Sequence, residues 1–221
     1  MFSTRDGAYI GKRIVPNTDL LLRELNHRVK NNFQIILSLM NLKKRMLPQE
    51  RWNDLRFIEE HVQALAVTYR LAYASGDIFE CSAASLLVEL IGDLRQTSKL
   101  KTGQVVFETI DMDVKIGLDQ AITIALYIAI VLTPYFYQAE IDGGTVVVAA
   151  SISDDVMSLR ISATSPPKEA ADALRVHLRD AYFKLLNAEY MPVSGNVDMA
   201  VSFGLDAGRV QYGTAAEPKR L

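Results

Sequence analysis

The sequence is poor in cysteine and in long uninterrupted apolar segments. Its 221 residues include one cysteine, Cys81, which excludes an intrachain disulfide, and no Cys/His spacing typical of a metal site occurs. The longest apolar run, residues 121–132, is interrupted only by Thr123 and is well short of the roughly 20 residues that span a bilayer. Residues 1–16 lack the apolar core of a signal peptide. We therefore expect a cytoplasmic protein with no membrane partner and no bound metal.

The sequence also lacks an excess of positive charge. Its formal net charge is −2, and this argues against a dedicated nucleic-acid binder, because neutralising phosphates requires a clustered basic surface. Apolar residues make up 49% and charged residues 23% of the chain, as in an ordinary soluble globular protein. The length suits one or two domains, each with its own core.

Two long amphipathic helices are predicted near the N-terminus, after a tail at residues 1–16. Positions 22, 25, 29, 33, 36 and 40 are apolar and form one stripe on a helix that begins near Asp19 and ends near Met46. Pro48 ends this helix, and a second helix from about Glu50 to Ala74 carries another apolar stripe, at positions 55, 58, 62, 65, 69 and 72. A hairpin of two helices leaves one apolar seam open, and a second copy of the hairpin would cover it. Residues 17–76 are therefore predicted to form a four-helix bundle in a homodimer.

The remaining residues, 77–221, read as a mixed α/β domain. Ser75-Gly76-Asp77 indicates a linker, and the elements that follow are predicted at these residues: a helix at 83–98, a strand at 104–110, a long apolar helix at 118–139, a hairpin at 145–152 and 156–163, a helix at 169–187, and strands at 197–203 and 208–212. The fold class is therefore α+β.

His27 is the residue best suited to carry chemistry. It lies opposite the apolar stripe of its helix, with Glu24 one turn before it and Asn31 one turn after it on the same face. An exposed, neutral imidazole can attack a phosphoryl group, while Glu24 orients it or accepts its proton. Arg28 and Lys30 are placed to attract phosphate charge. From spacing alone, a solvated surface histidine without a role remains the commoner explanation.

The segment around His27 resembles the phosphoacceptor box of a known family. Glu24-Leu25-Asn26-His27-Arg28-Val29-Lys30-Asn31-Asn32, followed by Phe33-Gln34-Ile35-Ile36, is similar to a bacterial sensor histidine kinase subfamily with His-Arg-Val-Lys-Asn-Asn at the acceptor, related to the HWE group. Asn26 departs from the family, which often has a second histidine there. The resemblance covers about residues 20–75. It implies that His27 is the phosphoacceptor, supported by Glu24, Arg28 and Asn31, and that an ATP-binding α/β sandwich of the Bergerat type follows.

The expected ATP-site residues are missing from that sandwich. The helix at 118–139 resembles the family's asparagine-box helix, with Ile130 in place of a glutamate and Pro134 in place of the Mg²⁺-binding asparagine. Ala163 stands where the family has the aspartate that binds adenine. Residues 166–172 contain no glycine and therefore lack a flexible phosphate lid. The resemblance thus implies a degenerate ATP site and makes ATP-dependent autophosphorylation by this chain unexpected.

Three functions stay open. The first is a dimeric histidine phosphotransferase of a phosphorelay, in which His27 takes a phosphoryl group from one receiver-domain aspartate and passes it to another. In that reading Mg²⁺ is on the partner receiver, and this chain binds no cofactor. The second is an active sensor histidine kinase with an unusual ATP site, and the third is a non-catalytic pseudokinase that binds receivers. The sequence does not identify the partner receivers, the direction of phosphoryl flow or the pathway.

Overall fold

The structure, a computed structural model, describes residues 18–48, 52–74, 80–109, 114–168 and 173–206. The helices are α1 (Thr18–Arg45), α2 (Trp52–Ala74), α3 (Ala83–Thr97), α4 (Leu118–Asp142) and α5 (Ala173–Leu185). The strands are β1 (Glu80–Ser82), β2 (Val105–Thr109), β3 (Lys115–Gly117), β4 (Val146–Ser153), β5 (Val156–Ala163), β6 (Glu189–Tyr190) and β7 (Met199–Gly204). This is the predicted α+β class, a helical hairpin followed by a helix-covered sheet.

Helices α1 and α2 form the predicted hairpin. The Phe33 and Tyr69 rings stack across it with centroids 5.9 Å apart, and Lys44 Nζ lies 2.9 Å from Glu59 Oε2 near the hairpin turn. Much of the apolar surface of α1 stays uncovered within one chain: Ile35 is 57% exposed and Leu39 60% exposed. Exposed apolar positions continue along this helix at Ile36, Leu42 and Met46. The hairpin therefore retains an open apolar surface.

Five strands form the main sheet in the order β2-β4-β5-β7-β6. Among these described strands the β2–β4 pair is parallel, and the other neighbouring pairs are antiparallel. Strands β4 and β5 are joined by Asp154 and Asp155, whose φ angles are 51° and 58°. Two consecutive residues of positive φ suit a tight hairpin turn, and aspartate tolerates that backbone better than most residues. The predicted β4–β5 hairpin is confirmed.

Helix α4 is the central core element. Tyr127, Ile128 and Leu132 on it are fully buried, and Gly143 ends it in the left-handed conformation at φ 73°. By length and composition α4 could cross a membrane, but 61% of its most apolar 18-residue stretch is buried inside the fold. This burial is that of a core helix, whose apolar surface is covered by protein.

Helix α2 has a second buried face that the sequence reading did not assign. Ala64 and Val67 have no exposed surface and belong to the same apolar core as α3 and α4. The hairpin stripe predicted for α2 does not include these positions, and Ile58, which it does include, is 50% exposed. Helix α2 thus packs on α1 with one face and on the α/β part with another. The predicted domain boundary at residues 76 and 77 stays a prediction.

The sequence reading missed three short strands, β1, β3 and β6. Each has two or three residues, and alternation cannot be recognised over so short a length. β1 and β3 pair with each other in a separate antiparallel ribbon. The predicted tail at 1–16, the linker at 75–77 and the strand at 208–212 lie outside the described residues, as do residues 169–172 at the predicted start of α5.

Candidate functional site

The predicted phosphoacceptor segment, residues 24–31, lies on α1, and its backbone is helical. Arg28 Nε donates to Glu24 Oε1 at 2.8 Å, one helical turn apart, with the two side chains 73% and 60% exposed. Asn31, one turn after the acceptor position, is also exposed. The structure therefore brings together Glu24 and Arg28 on an open surface. His27 is between them in the helix, and its side chain lies outside the described ones.

The Glu24–Arg28 bond bears on the surroundings of residue 27, because Glu24 was expected to interact with His27 and is bonded to Arg28. A carboxylate that accepts from a guanidinium can still accept from a neighbouring N–H with its other lone pairs. The pair itself adds little to stability, because both groups are well solvated. Its consequence is local: a negative and a positive group are fixed within one turn of residue 27.

The positions where the resemblance places ATP contacts carry other chemistry. Ile130 is 2% exposed and lies inside the core, and Pro134 is within α4. Neither side chain has an oxygen that could bind Mg²⁺, so the residues present do not fit the metal. At the end of β5 the Ala163 N–H donates to Asp198 Oδ2 at 2.7 Å. Asp198, which immediately precedes β7, thus lies beside Ala163, the position where the resemblance expects the adenine-binding aspartate.

Arg175 of α5 approaches the same part of α4. Its Nη1 donates to the carbonyl oxygen of Ile130 at 3.2 Å, and its Nη2 donates to Glu60 Oε2 of α2 at 3.1 Å. The guanidinium also lies 5.2 Å from the centroid of the Phe57 ring. The Arg175 side chain is 15% exposed. A largely buried cation therefore lies against α4, one turn before Pro134.

Glu60 is the most perturbed carboxyl of this region. Burial raises its pKa to about 7, against the opposing effect of the cations of Arg175 and Arg56 and of the nearby Thr133 hydroxyl. Among the described residues Glu60 Oε1 has no hydrogen-bond partner of good geometry, since Thr133 Oγ1 donates instead to the Ala129 carbonyl at 2.8 Å. Near neutral pH Glu60 is therefore a mixture of its acid and its carboxylate.

Two further polar groups are buried at the junction of α2, α4 and α5. His61 Nδ1 lies 2.8 Å from the Phe57 carbonyl oxygen, and its Nε2 has no partner among the described residues. Burial lowers the pKa of His61, so the neutral ring is favoured. The Tyr127 hydroxyl is likewise buried without a described partner.

Sequence reasoning missed Glu60, Arg175 and Asp198. One signal for Arg175 was present: a proline inside a helix leaves the carbonyl four residues earlier without its helical donor, so some other donor is needed there. Within the described part of the chain, no group of three or more His, Cys, Asp or Glu residues is placed to hold a metal ion.

Comparison with known proteins relates the chain to histidine kinases. Residues 24–98 match the HisKA_2 family model, described as histidine kinase. The histidine kinase domain of the Erythrobacter litoralis EL346 blue-light activated histidine kinase is 18% identical with a TM-score of 0.54, over 85% of this chain and 91% of that one. A longer structure of that kinase is 17% identical with a TM-score of 0.53, over 87% of this chain and 64% of that one. No curated protein matches the chain. Residues 24–98 are therefore similar to the HisKA_2 histidine kinase family, and the chain as a whole has the fold of a histidine kinase domain.

Proposed function

We propose that this chain is a cytoplasmic histidine-kinase-type signalling protein that carries a phosphoryl group on His27 and exchanges it with receiver domains of response regulators. The observation that carries the proposal is the contrast between two regions. The acceptor segment keeps Glu24, Arg28 and Asn31 around residue 27. The metal position of α4 holds Pro134, with the guanidinium of Arg175 on the neighbouring carbonyl.

In the proposed transfer, a neutral imidazole nitrogen of His27 attacks the phosphorus of a receiver aspartyl phosphate. The N–P bond forms as the O–P bond to the aspartate breaks, and the aspartate leaves as a carboxylate. The proton on the other ring nitrogen is held by an acceptor such as Glu24, which stabilises the imidazolium charge. Mg²⁺ is supplied by the receiver, where it neutralises the phosphoryl oxygens. The reverse sequence loads a second receiver.

The second candidate is an active sensor histidine kinase. The comparisons support this candidate better than a protein restricted to phosphotransfer, since both the matched family and the matched structures are described as histidine kinases. Asp198 also favours the active kinase, because its carboxylate contacts the backbone of Ala163. There it could accept a hydrogen bond from the adenine amine in place of the missing aspartate. A receiver-binding pseudokinase is the third candidate, and it needs no chemistry at His27.

A transfer assay distinguishes the first candidate from the third. The protein is mixed with a receiver domain that carries ³²P on its aspartate, in the presence of Mg²⁺ and without ATP. We expect acid-labile label to move onto the chain and then onto a second, unlabelled receiver. A panel of receivers from one bacterial source supplies the partners, and label that never reaches the chain from any of them would contradict phosphotransfer.

The exposed apolar surface of α1 supports a homodimer. Exchanging the 60%-exposed Leu39 for glutamate places a charge on this surface, and we expect the mass in solution to fall from twice the chain mass to 24.6 kDa. Static light scattering at micromolar concentration measures this change. Asn41→Glu is the matched control, because Asn41 is exposed and lies on the other side of the same helix. Monomeric wild-type protein would contradict the dimer.

A further inference from the structure

A missing hydrogen bond in α4 explains the position of Arg175. In an α-helix the N–H of residue 134 would donate to the carbonyl of residue 130, and Pro134 has no N–H. The Ile130 carbonyl is inside the core, where an unpaired acceptor is costly. Arg175 Nη1 lies 3.2 Å from this oxygen and supplies the donor that the proline removed.

The same guanidinium is bonded to a second helix. Its Nη2 donates to Glu60 Oε2 of α2, a side chain that is 2% exposed. Arg175 itself belongs to α5, so one side chain joins α2, α4 and α5. The bonds use two different nitrogens of a planar group, and this fixes the angle between the bonded helices as well as their distance.

Neighbouring contacts tie the same helices together. Arg56 of α2 lies over the Tyr137 ring of α4, with its guanidinium carbon 4.5 Å from the centroid, and 3.9 Å separates its Nη2 from Glu140 Oε2. Ala64 and Val67, further along α2, are fully buried in the core that α4 occupies. The interface between α2 and α4 is therefore both apolar and polar, and the Arg175 contacts lie at its polar part.

We propose that Arg175 is a clamp that takes the place of the missing backbone donor at position 134 and holds the hairpin and the α/β domain as one rigid body. The clamp bonds a guanidinium to α4 one turn before Pro134, the position where the resemblance expects the metal-binding asparagine. It prevents the α/β domain from moving toward His27 to deliver a nucleotide. The α/β domain then keeps a fixed position relative to the helical hairpin. This functional consequence rests on the proposed phosphotransfer role, whereas the clamp itself is a property of the isolated chain.

Double-mutant cycles on the full chain test the clamp at pH 7.5 by urea unfolding. Arg175→Met keeps the aliphatic stem and removes both donors, and Glu60→Leu removes the acceptor. We expect their effects on the unfolding equilibrium constant to be coupled by about tenfold or more, because each single variant leaves a buried group without its partner. Arg175→Met and Pro134→Ala should also be coupled, by several-fold, since alanine restores the N–H that serves Ile130.

Arg179→Met is the matched control on α5. In the described part of the chain the Arg179 guanidinium donates its hydrogen bonds to the adjacent Asp180, at 2.8 and 3.0 Å, and not to Glu60 or to the Ile130 carbonyl. Its combinations with Glu60→Leu and Pro134→Ala should therefore be additive. Additivity for Arg175 as well would overturn the clamp.

Hydrogen exchange measures the rigidity directly and covers the case in which Arg175→Met does not fold. In Arg175→Lys the charge remains, but one ammonium cannot reproduce the two directed bonds. We expect amide exchange in residues 60–68 of α2 to become at least about tenfold faster in this variant and unchanged in Arg179→Met. Unchanged protection of α2 in Arg175→Lys would overturn the proposal. Both experiments use no phosphoryl donor, so their failure is distinguishable from failure of the proposed function.

Discussion

Replacing His27 by alanine should reduce phosphoryl transfer between receiver domains by more than about a thousandfold, to the level of slow hydrolysis of the aspartyl phosphate. The reason is that a covalent carrier has no substitute nucleophile when its acceptor nitrogen is removed. The measurement follows ³²P from a labelled receiver to an unlabelled one in the presence of the wild-type or the variant chain. Folding of the variant is checked by circular dichroism.

His177→Ala is the control for loss of a histidine. His177 is exposed on α5, outside the acceptor segment, so its removal should leave transfer unchanged. Transfer or signalling that persisted in His27→Ala would contradict a carrier at residue 27 and would support the receiver-binding pseudokinase instead.

Glu60 is expected to make the stability of the fold decrease as pH rises. Burial raises the pKa of Glu60 from an ordinary 4.5 to about 7, so the folded state binds this proton more tightly than the unfolded chain does. The contribution of protonated Glu60 to the free energy of unfolding is fully present below about pH 4.5 and is lost as pH rises through about 7. Between pH 5 and pH 8 the loss from this group is about 2–3 kcal/mol of unfolding free energy.

The change Glu60→Gln isolates this contribution. Glutamine keeps an acceptor for Arg175 and cannot ionise, so the variant should gain about 2–3 kcal/mol relative to wild type between pH 5 and pH 8. Urea unfolding of both proteins across this range measures the difference. Burial lowers the pKa of His61, so His61 makes the free energy of unfolding rise with pH in the range below its ordinary pKa. His61 is present in both proteins, so this effect cancels in the comparison. Parallel pH profiles for the two proteins would contradict a buried Glu60 with a raised pKa.

Local patterns predicted the elements that are long and amphipathic. Helices α1 and α2 follow from their apolar stripes and from Pro48, and the β4–β5 hairpin follows from two alternating runs separated by Ser153, Asp154 and Asp155. These features depend on residues within a few positions of one another. The order of elements then predicted the α+β fold, because such an order leaves few ways to cover the sheet.

The contacts that the sequence did not reveal join distant residues. Glu60 and Arg175 are 115 positions apart, and no periodicity links them. The second buried face of α2 was missed because a helix that packs on two sides shows a stripe for each, and the open hairpin seam was the stronger of the two signals. Asp198 was missed because it contacts the backbone of Ala163 from the position immediately before β7, and this contact depends on how β7 is paired with β5.

The acceptor site was predicted from the sequence to the level of residue type and helix face. The spacing of Glu24, His27 and Asn31 on one face requires only a regular helix, and α1 is one. The Glu24–Arg28 bond was not predicted, although residues four positions apart on a helix can pair. The acceptor role of His27 stays a prediction that chemistry must test.

The source of the phosphoryl group is the central question, and one measurement addresses it most directly. The purified chain is incubated with Mg²⁺ and γ-labelled ATP, and acid-labile label that depends on His27 is counted. We predict no label on wild-type protein that is folded and that accepts phosphoryl from a receiver. Label that appears on the wild type and is lost in His27→Ala would contradict this account and would show that the chain is an active histidine kinase despite Pro134 and Ala163.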